Sequence, residues 1–161
     1  MSELPLDVAL QLRVENLLAR YADCLDQGRF EDWPGFFTAD AVYRIVSAEN
    51  YERGFPLAVI DCDSRAMLED RVTALREANV YEEHRYRHLL STTLVQGREG
   101  GAFLAETAYQ VVRTMRDGQA MLFSVGRYLD LIVEEGEALR FAEKLVIFDN
   151  KRIDTLLVIP L

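Results

Sequence analysis

Histidine and cysteine are the scarcest chemistry-bearing residues in this chain, with two of each among 161 residues. His84 and His88 lie close together with no cysteine near either, while Cys24 and Cys62 are far apart. A mixed Cys/His iron–sulfur cluster takes two residues of each kind, and a mononuclear non-haem iron site takes two further histidines and a carboxylate. The chain is therefore excluded as the carrier of both centres at once. Neither the cysteine spacing nor the composition argues for a disulfide, and two free thiols are expected.

Positive charge is also short. Eighteen Lys and Arg face 27 Asp and Glu, a formal charge of −9 that repels phosphate backbones and anionic lipid. Nucleic acid and membrane surfaces are thereby excluded as expected partners. No run approaches the roughly 20 apolar residues a spanning helix needs, and Met1-Ser2-Glu3-Leu4-Pro5 lacks a basic region leading into an apolar one. The expectation is a soluble, cytoplasmic protein. With 50% apolar and 28% charged residues, the chain can bury a core, and one domain spanning 1–161 is expected.

What is present is a change of period. Leu10, Val14, Leu17, Leu18, Tyr21 and Leu25 recur at helical spacing, which predicts an amphipathic helix over 6–26, stopped by Gly28. Phe30 to Phe37 suits a short helix or turn that packs aromatic rings, and 41–46 has strand character. Residues 47–60 read as a loop or broken strand. Asp63 or Ser64 caps a third helix carrying Leu68, Val72 and Leu75 and ending near Asn79; Tyr81 to Tyr86 reads as a loop. From there the period falls to two. Runs at 87–97, 102–115, 119–133 and 138–149, separated by glycine-bearing turns, predict an antiparallel meander, with a last short strand over 155–159. In the third run Met121, Phe123, Val125, Leu129, Leu131 and Val133 are expected to share the core side. Helices first and a long curved sheet afterwards is an α+β pattern.

Three segments carry a resemblance: Asp32-Trp33-Pro34-Gly35-Phe36-Phe37-Thr38; residues 70–79 running into Tyr81-Glu82-Glu83-His84-Arg85-Tyr86-Arg87-His88; and the ending over 154–161. Together they resemble the small (beta) subunits of aromatic-ring-hydroxylating dioxygenases, most closely the terephthalate, salicylate and anthranilate branch. The resemblance implies an NTF2-like (cystatin-like) cone, with N-terminal helices packed in a curved, mostly antiparallel sheet. It implies a non-catalytic structural subunit of an α3β3 complex acting on a carboxylated aromatic compound. In that setting small subunits pack as a homotrimer. The large (alpha) subunit carries the Rieske 2Fe-2S cluster and the mononuclear non-haem iron, and electrons arrive from NAD(P)H through a reductase or ferredoxin.

Within that expectation His84, Arg85, Tyr86, Arg87 and Arg127 are interface candidates, because a planar guanidinium pairs carboxylates in a fork and tyrosine suits half-wet contacts. Glu143, placed with Leu139, Phe141, Leu145 and Ile147 on one strand face, is expected to pair with one of these arginines across the sheet. The chain also resembles scytalone dehydratase in a Tyr-Ala-Asp first helix, in Tyr43 and in a His opening the sheet. This yields an alternative, a stand-alone dehydratase or isomerase using Asp23, Tyr43 and His88 for acid–base work. A second histidine used by those dehydratases is replaced here by Tyr109, so the set is incomplete. A third reading is a plain binding protein for a small aromatic ligand. Asp23 as a solvated helix carboxylate, His88 as a hydrogen-bonded strand residue, and Trp33, Phe36, Phe37 and Tyr43 as core are the structural counterparts of these roles.

Overall fold

The structure, a computed structural model, describes residues 7–77, 83–150, 157 and 159–161. Helix α1 spans Val8–Asp26, its start fixed by Asp7, whose carboxylate accepts the Leu10 N–H at 3.1 Å. Val14, Leu17, Leu18, Tyr21 and Leu25 form its buried line, as the spacing predicts. Gly28 at φ +71° reverses the chain, a conformation an L side chain resists. A single 3-10 turn, Trp33–Phe36, then delivers Trp33 to the core and leads into strand β1, Phe37–Ser47.

Residues 47–60 correct the expected loop or broken strand. They hold a short helix α2, Ala48–Arg53, capped by Ser47 and closed by Gly54, and the start of an edge strand β2, Ile60–Cys62. No residue of α2 is buried, so it has no apolar stripe by which its period could be read. Helix α3, Arg65–Glu77, buries Leu68, Val72 and Leu75 as expected, with Ser64 accepting the Met67 N–H.

The expected loop at 81–86 is a second correction, since strand β3 covers His84–Leu90; positions 81–82 lie outside the described residues. The run at 87–97 proves to be two strands, β3 and β4 (Leu94–Glu99). They pair with successive stretches of one long strand, β5 (Ala102–Met115). The break between them packs on α1: Gln11 donates to the Thr93 carbonyl at 2.7 Å, and the buried Thr93 and Thr107 hydroxyls meet at 2.8 Å. Strands β6 (Ala120–Glu135) and β7 (Ala138–Phe148) complete a curled sheet of order β2-β1-β7-β6-β5-β3. All neighbours are antiparallel except β1 with β7. Of the last expected strand, Leu157 and Ile159 are described and buried; the rest of 155–158 lies outside the described residues.

Two bulges overturn the expected facing of side chains. One extra residue at Phe123 lets both Phe123 and Ser124 be buried; beyond it Gly126, Tyr128, Asp130 and Ile132 point inward. Val125, Leu129, Leu131 and Val133, assigned to the core side by alternation, lie half-buried on the outer face. A second bulge at Ala142 turns Glu143 outward and Lys144 inward, so Glu143 does not share a face with Leu139 and Phe141. A one-residue slip exchanges the two faces of a strand, and a bulge is such a slip built in. The core is an edge-to-face cluster of Tyr21, Trp33, Phe37, Tyr43, Tyr128 and Phe141 enclosed between the sheet and α1.

Candidate functional site

The way α1 docks against β3 decides which aspartate reaches the sheet. Asp23 lies on the solvent side of α1, where the Arg29 guanidinium at 2.8 Å holds its carboxyl below the ordinary range. Asp26 instead sits against β3. Its Oδ1 is 2.6 Å from His88 Nδ1, and both carboxylate oxygens accept the His88 backbone N–H, at 3.2 and 2.9 Å. The structure therefore does not bring Asp23 to His88, and Asp26 takes that position. His88 Nε2 is buried and has no hydrogen-bond partner among the described residues.

Tyr43 is fully buried, and its hydroxyl is engaged. It donates to the Leu161 backbone oxygen at 2.9 Å and receives the Leu161 N–H at 3.2 Å, while Tyr21 donates to the same oxygen at 2.6 Å. Tyr109 meets Ser124 at 2.9 Å and stacks on Tyr128.

The interface candidates divide between two places. On β3, Arg85 and Arg87 face outward beside a groove of about 310 Å3 floored by Leu25, Asp26, Phe30 and Ile159. Tyr86 points inward, with the half-buried His84 ring 5.2 Å from it. Arg127 is elsewhere, on the outer face of β6. There it pairs with Glu106 at 3.0 Å and lies over the Tyr51 ring of α2. Glu106, rather than Glu143, is thus its acidic partner. Glu143 lines an open groove of about 600 Å3 on that face with Tyr51, Leu104, Leu129, Leu131 and Leu145.

Asp130 and Lys144 form a buried ion pair that the sequence reading missed. Both are wholly inaccessible; the ammonium is 3.2 Å from each carboxylate oxygen and 3.6 Å from the centre of the Tyr128 ring, with Tyr21 and Phe141 at 4.5 Å. Burial pushes Asp130 up to about 6 and Lys144 down to about 8, each opposed by attraction to the other. The available signal was a charged residue in the middle of each of two neighbouring apolar strands, opposite in sign. The bulge at Ala142 hid that both face inward.

Metal ligation has little to build on. Among the described residues no three His, Cys, Asp or Glu side chains cluster. Cys24 and Cys62 are free and buried; burial pushes Cys24 up to about 11, and its thiol contacts the Arg29 carbonyl oxygen at 3.0 Å. His88 Nδ1 is taken by Asp26. These residues do not fit an iron–sulfur cluster.

The family model for ring hydroxylating beta subunits matches residues 20–155. This chain belongs to that family. It is 38% identical over 161 residues to the small subunit of anthranilate 1,2-dioxygenase from Burkholderia cepacia, covering 100% of both chains. It is 37% identical to subunit beta 1 of the terminal oxygenase component of terephthalate 1,2-dioxygenase from Comamonas sp, over 94% of this chain and 98% of the other. A solved beta subunit from Novosphingobium aromaticivorans, assigned to an aromatic-ring-hydroxylating dioxygenase, superposes with a TM-score of 0.88 at 38% identity, covering 95% and 97% of the two chains. The chain is the small subunit of an aromatic-ring-hydroxylating dioxygenase with the NTF2-like fold expected from its sequence. No helix among the described residues is long and apolar enough to cross a membrane.

Proposed function

We propose that this small subunit is a non-catalytic assembly element of an α3β3 dioxygenase acting on a carboxylated aromatic compound. The observation that carries this reading is end-to-end similarity to small subunits of enzymes named for anthranilate and terephthalate. The large subunit would hold the Rieske cluster and the mononuclear iron, and a reductase or ferredoxin would bring electrons from NAD(P)H.

Two surfaces suit the assembly role. The outer groove of β5, β6 and β7 exposes alternating leucines that a neighbouring small subunit would cover in a closed trimer. Arg85 and Arg87, with the half-buried His84 beside them, would offer a cationic strand face to the large subunit, while Tyr86 packs inward beneath them. The test is co-expression with a large subunit, with size, iron content and turnover of anthranilate and terephthalate measured. The expected result is a hexamer whose iron follows the large subunit. Stoichiometric iron on the isolated small subunit would reject the reading.

The Asp26–His88 hydrogen bond favours a second reading, an independent dehydratase or isomerase, because a carboxylate that fixes an imidazole is a common acid–base device. Against it, the Tyr43 hydroxyl is occupied by Leu161. Turnover by the isolated chain that His88→Ala abolishes without loss of folding would establish this alternative.

A further inference from the structure

Exposed large apolar side chains are unevenly spread over this chain. Four of them, Tyr51, Phe55, Leu57 and Val59, fall on α2 and in the loop that follows it. Phe55, Leu57 and Val59 are 50%, 72% and 52% exposed, and the segment 54–60 carries no charge. The loop is pinned nonetheless. The Phe55 N–H donates to the Asn50 carbonyl at 2.9 Å and the Val59 N–H to the Ile45 carbonyl of β1 at 2.8 Å. Between them, Arg44 Nη2 donates to the Pro56 carbonyl at 3.1 Å and Asn50 Nδ2 to the Leu57 carbonyl at 3.3 Å. Backbone bonds at both ends and in the middle thus hold three apolar side chains out to solvent. Such a knob is ordered before any contact forms, and exposed apolar patches mark contact surfaces.

A complementary hollow lies on the outer face of the same chain. The groove of about 600 Å3 is walled by Leu104, Leu129, Leu131 and Leu145, with Glu143 among them. Glu106 in its wall is paired with Arg127, whereas the exposed Glu143 has no hydrogen bond or ion pair among the described residues. The loop carries the matching groups. The Leu57 and Ala58 N–H groups have no acceptor among the described residues, and a carboxylate accepts such donors strongly. None of residues 55–59 lines the groove of its own chain, because the Arg44 and Asn50 bonds fix the loop on the β1 side.

We infer that the loop at 55–59 of one copy of this chain seats in the outer groove of the next, with Glu143 accepting the loop's Leu57 and Ala58 N–H groups. This rests on the trimer reading above and names its contact. Loop and groove are different patches, so the contact is heterologous. Each copy gives its loop to one neighbour and its groove to the other, and a closed ring leaves neither patch uncovered.

The test uses the full chain in sedimentation, with far-ultraviolet circular dichroism as the control for folding. Leu57→Asp disables the loop and leaves the groove; Leu131→Asp disables the groove and leaves the loop. Each variant alone should be folded and monomeric, its self-association weakened roughly a hundredfold or more. Mixed in equal amounts, the two should form a dimer of unlike chains and stop there. One sound loop and one sound groove make a single contact, and neither free end can continue the ring. Glu143→Gln should weaken self-association roughly tenfold. Trimers formed by Leu57→Asp overturn the loop's role while the trimer reading stands, and if that variant instead fails to join the large subunit on co-expression, the loop belongs to that partner. A mixture that stays monomeric overturns the pairing of loop with groove. An unaltered chain that is monomeric at every concentration rejects the trimer reading and this contact with it. If circular dichroism shows that Leu131→Asp unfolds the sheet, Leu131→Gln takes its place with the same outcomes.

Discussion

Removing Lys144 alone and removing it together with Asp130 should have opposite consequences. At 3.2 Å and an effective dielectric of ~20 the two charges attract by about 5 kcal/mol, which is set against several kcal/mol of lost hydration for each ion. The pair is thus close to neutral in stability, whereas either charge alone is a burden. Lys144→Met should destabilise by about 3–5 kcal/mol at pH 8. Asp130→Val should cost less, because Lys144 keeps its three rings and can shed its proton. The double variant should fall within about 1–2 kcal/mol of the unaltered chain, which implies a large coupling.

The pH dependence carries the sharper sign. In the unaltered chain Asp130 is raised, so the native state holds that proton more tightly, and stability falls as pH rises from the ordinary carboxylate range to about 6. Lys144 is lowered, so stability returns as pH rises from about 8 toward the ordinary lysine range. Between them the pair contributes a flat trough. Lys144→Met leaves only the first effect, extended upward, and its stability should keep falling from pH 6 to 8. Asp130→Val leaves only the second, extended downward, and its stability should rise over the same interval. Urea unfolding at several pH values measures both. Parallel slopes for the two single variants, or a double variant as weak as Lys144→Met, would refute the reasoning.

A Cβ at Gly126 would overlap the Ile147 carbonyl oxygen of β7, so Gly126→Ala should destabilise by about 1–3 kcal/mol or more, read as a fall in Tm. Asp26→Ala strips the buried His88 backbone N–H and imidazole of their acceptor and should cost about 1–3 kcal/mol, whereas Asp23→Ala should leave the thermal melt unchanged. Leu131→Asp places a charge in the outer groove and should abolish trimer formation in sedimentation while the far-ultraviolet circular dichroism stays native.

The readable parts of the sequence were those in which one face is apolar and the other polar. Leu10 to Leu25 on α1 and Leu68, Val72 and Leu75 on α3 declare their buried lines because solvent takes the rest of each helix. The sheet defeated the same reasoning at β6. Both of its faces are apolar, one covered by the core and the other carrying Val125, Leu129 and Leu131, so alternation alone could not say which was inside. Bulges at Phe123 and Ala142 then changed the parity part-way along, which no local pattern announces. The Asp23 error has a different origin. It stands three positions before Asp26 on one helix, and only the docking angle of α1 against β3 selects between them.

The two faces of β6 imply a division of labour. Its inner residues meet an interior in which Leu161 is held by Tyr21 and Tyr43 and Asp130 is paired with Lys144. Its outer leucines lie half-buried beside an open groove, with Arg127 over the Tyr51 ring and paired with Glu106 nearby. Apolar side chains left on an accessible sheet face are a liability in a free monomer and an asset in an assembly, because covering each square ångström contributes about 25 cal/mol. A subunit with its interior filled and its outer sheet uncovered is suited to act through what it binds on the outside.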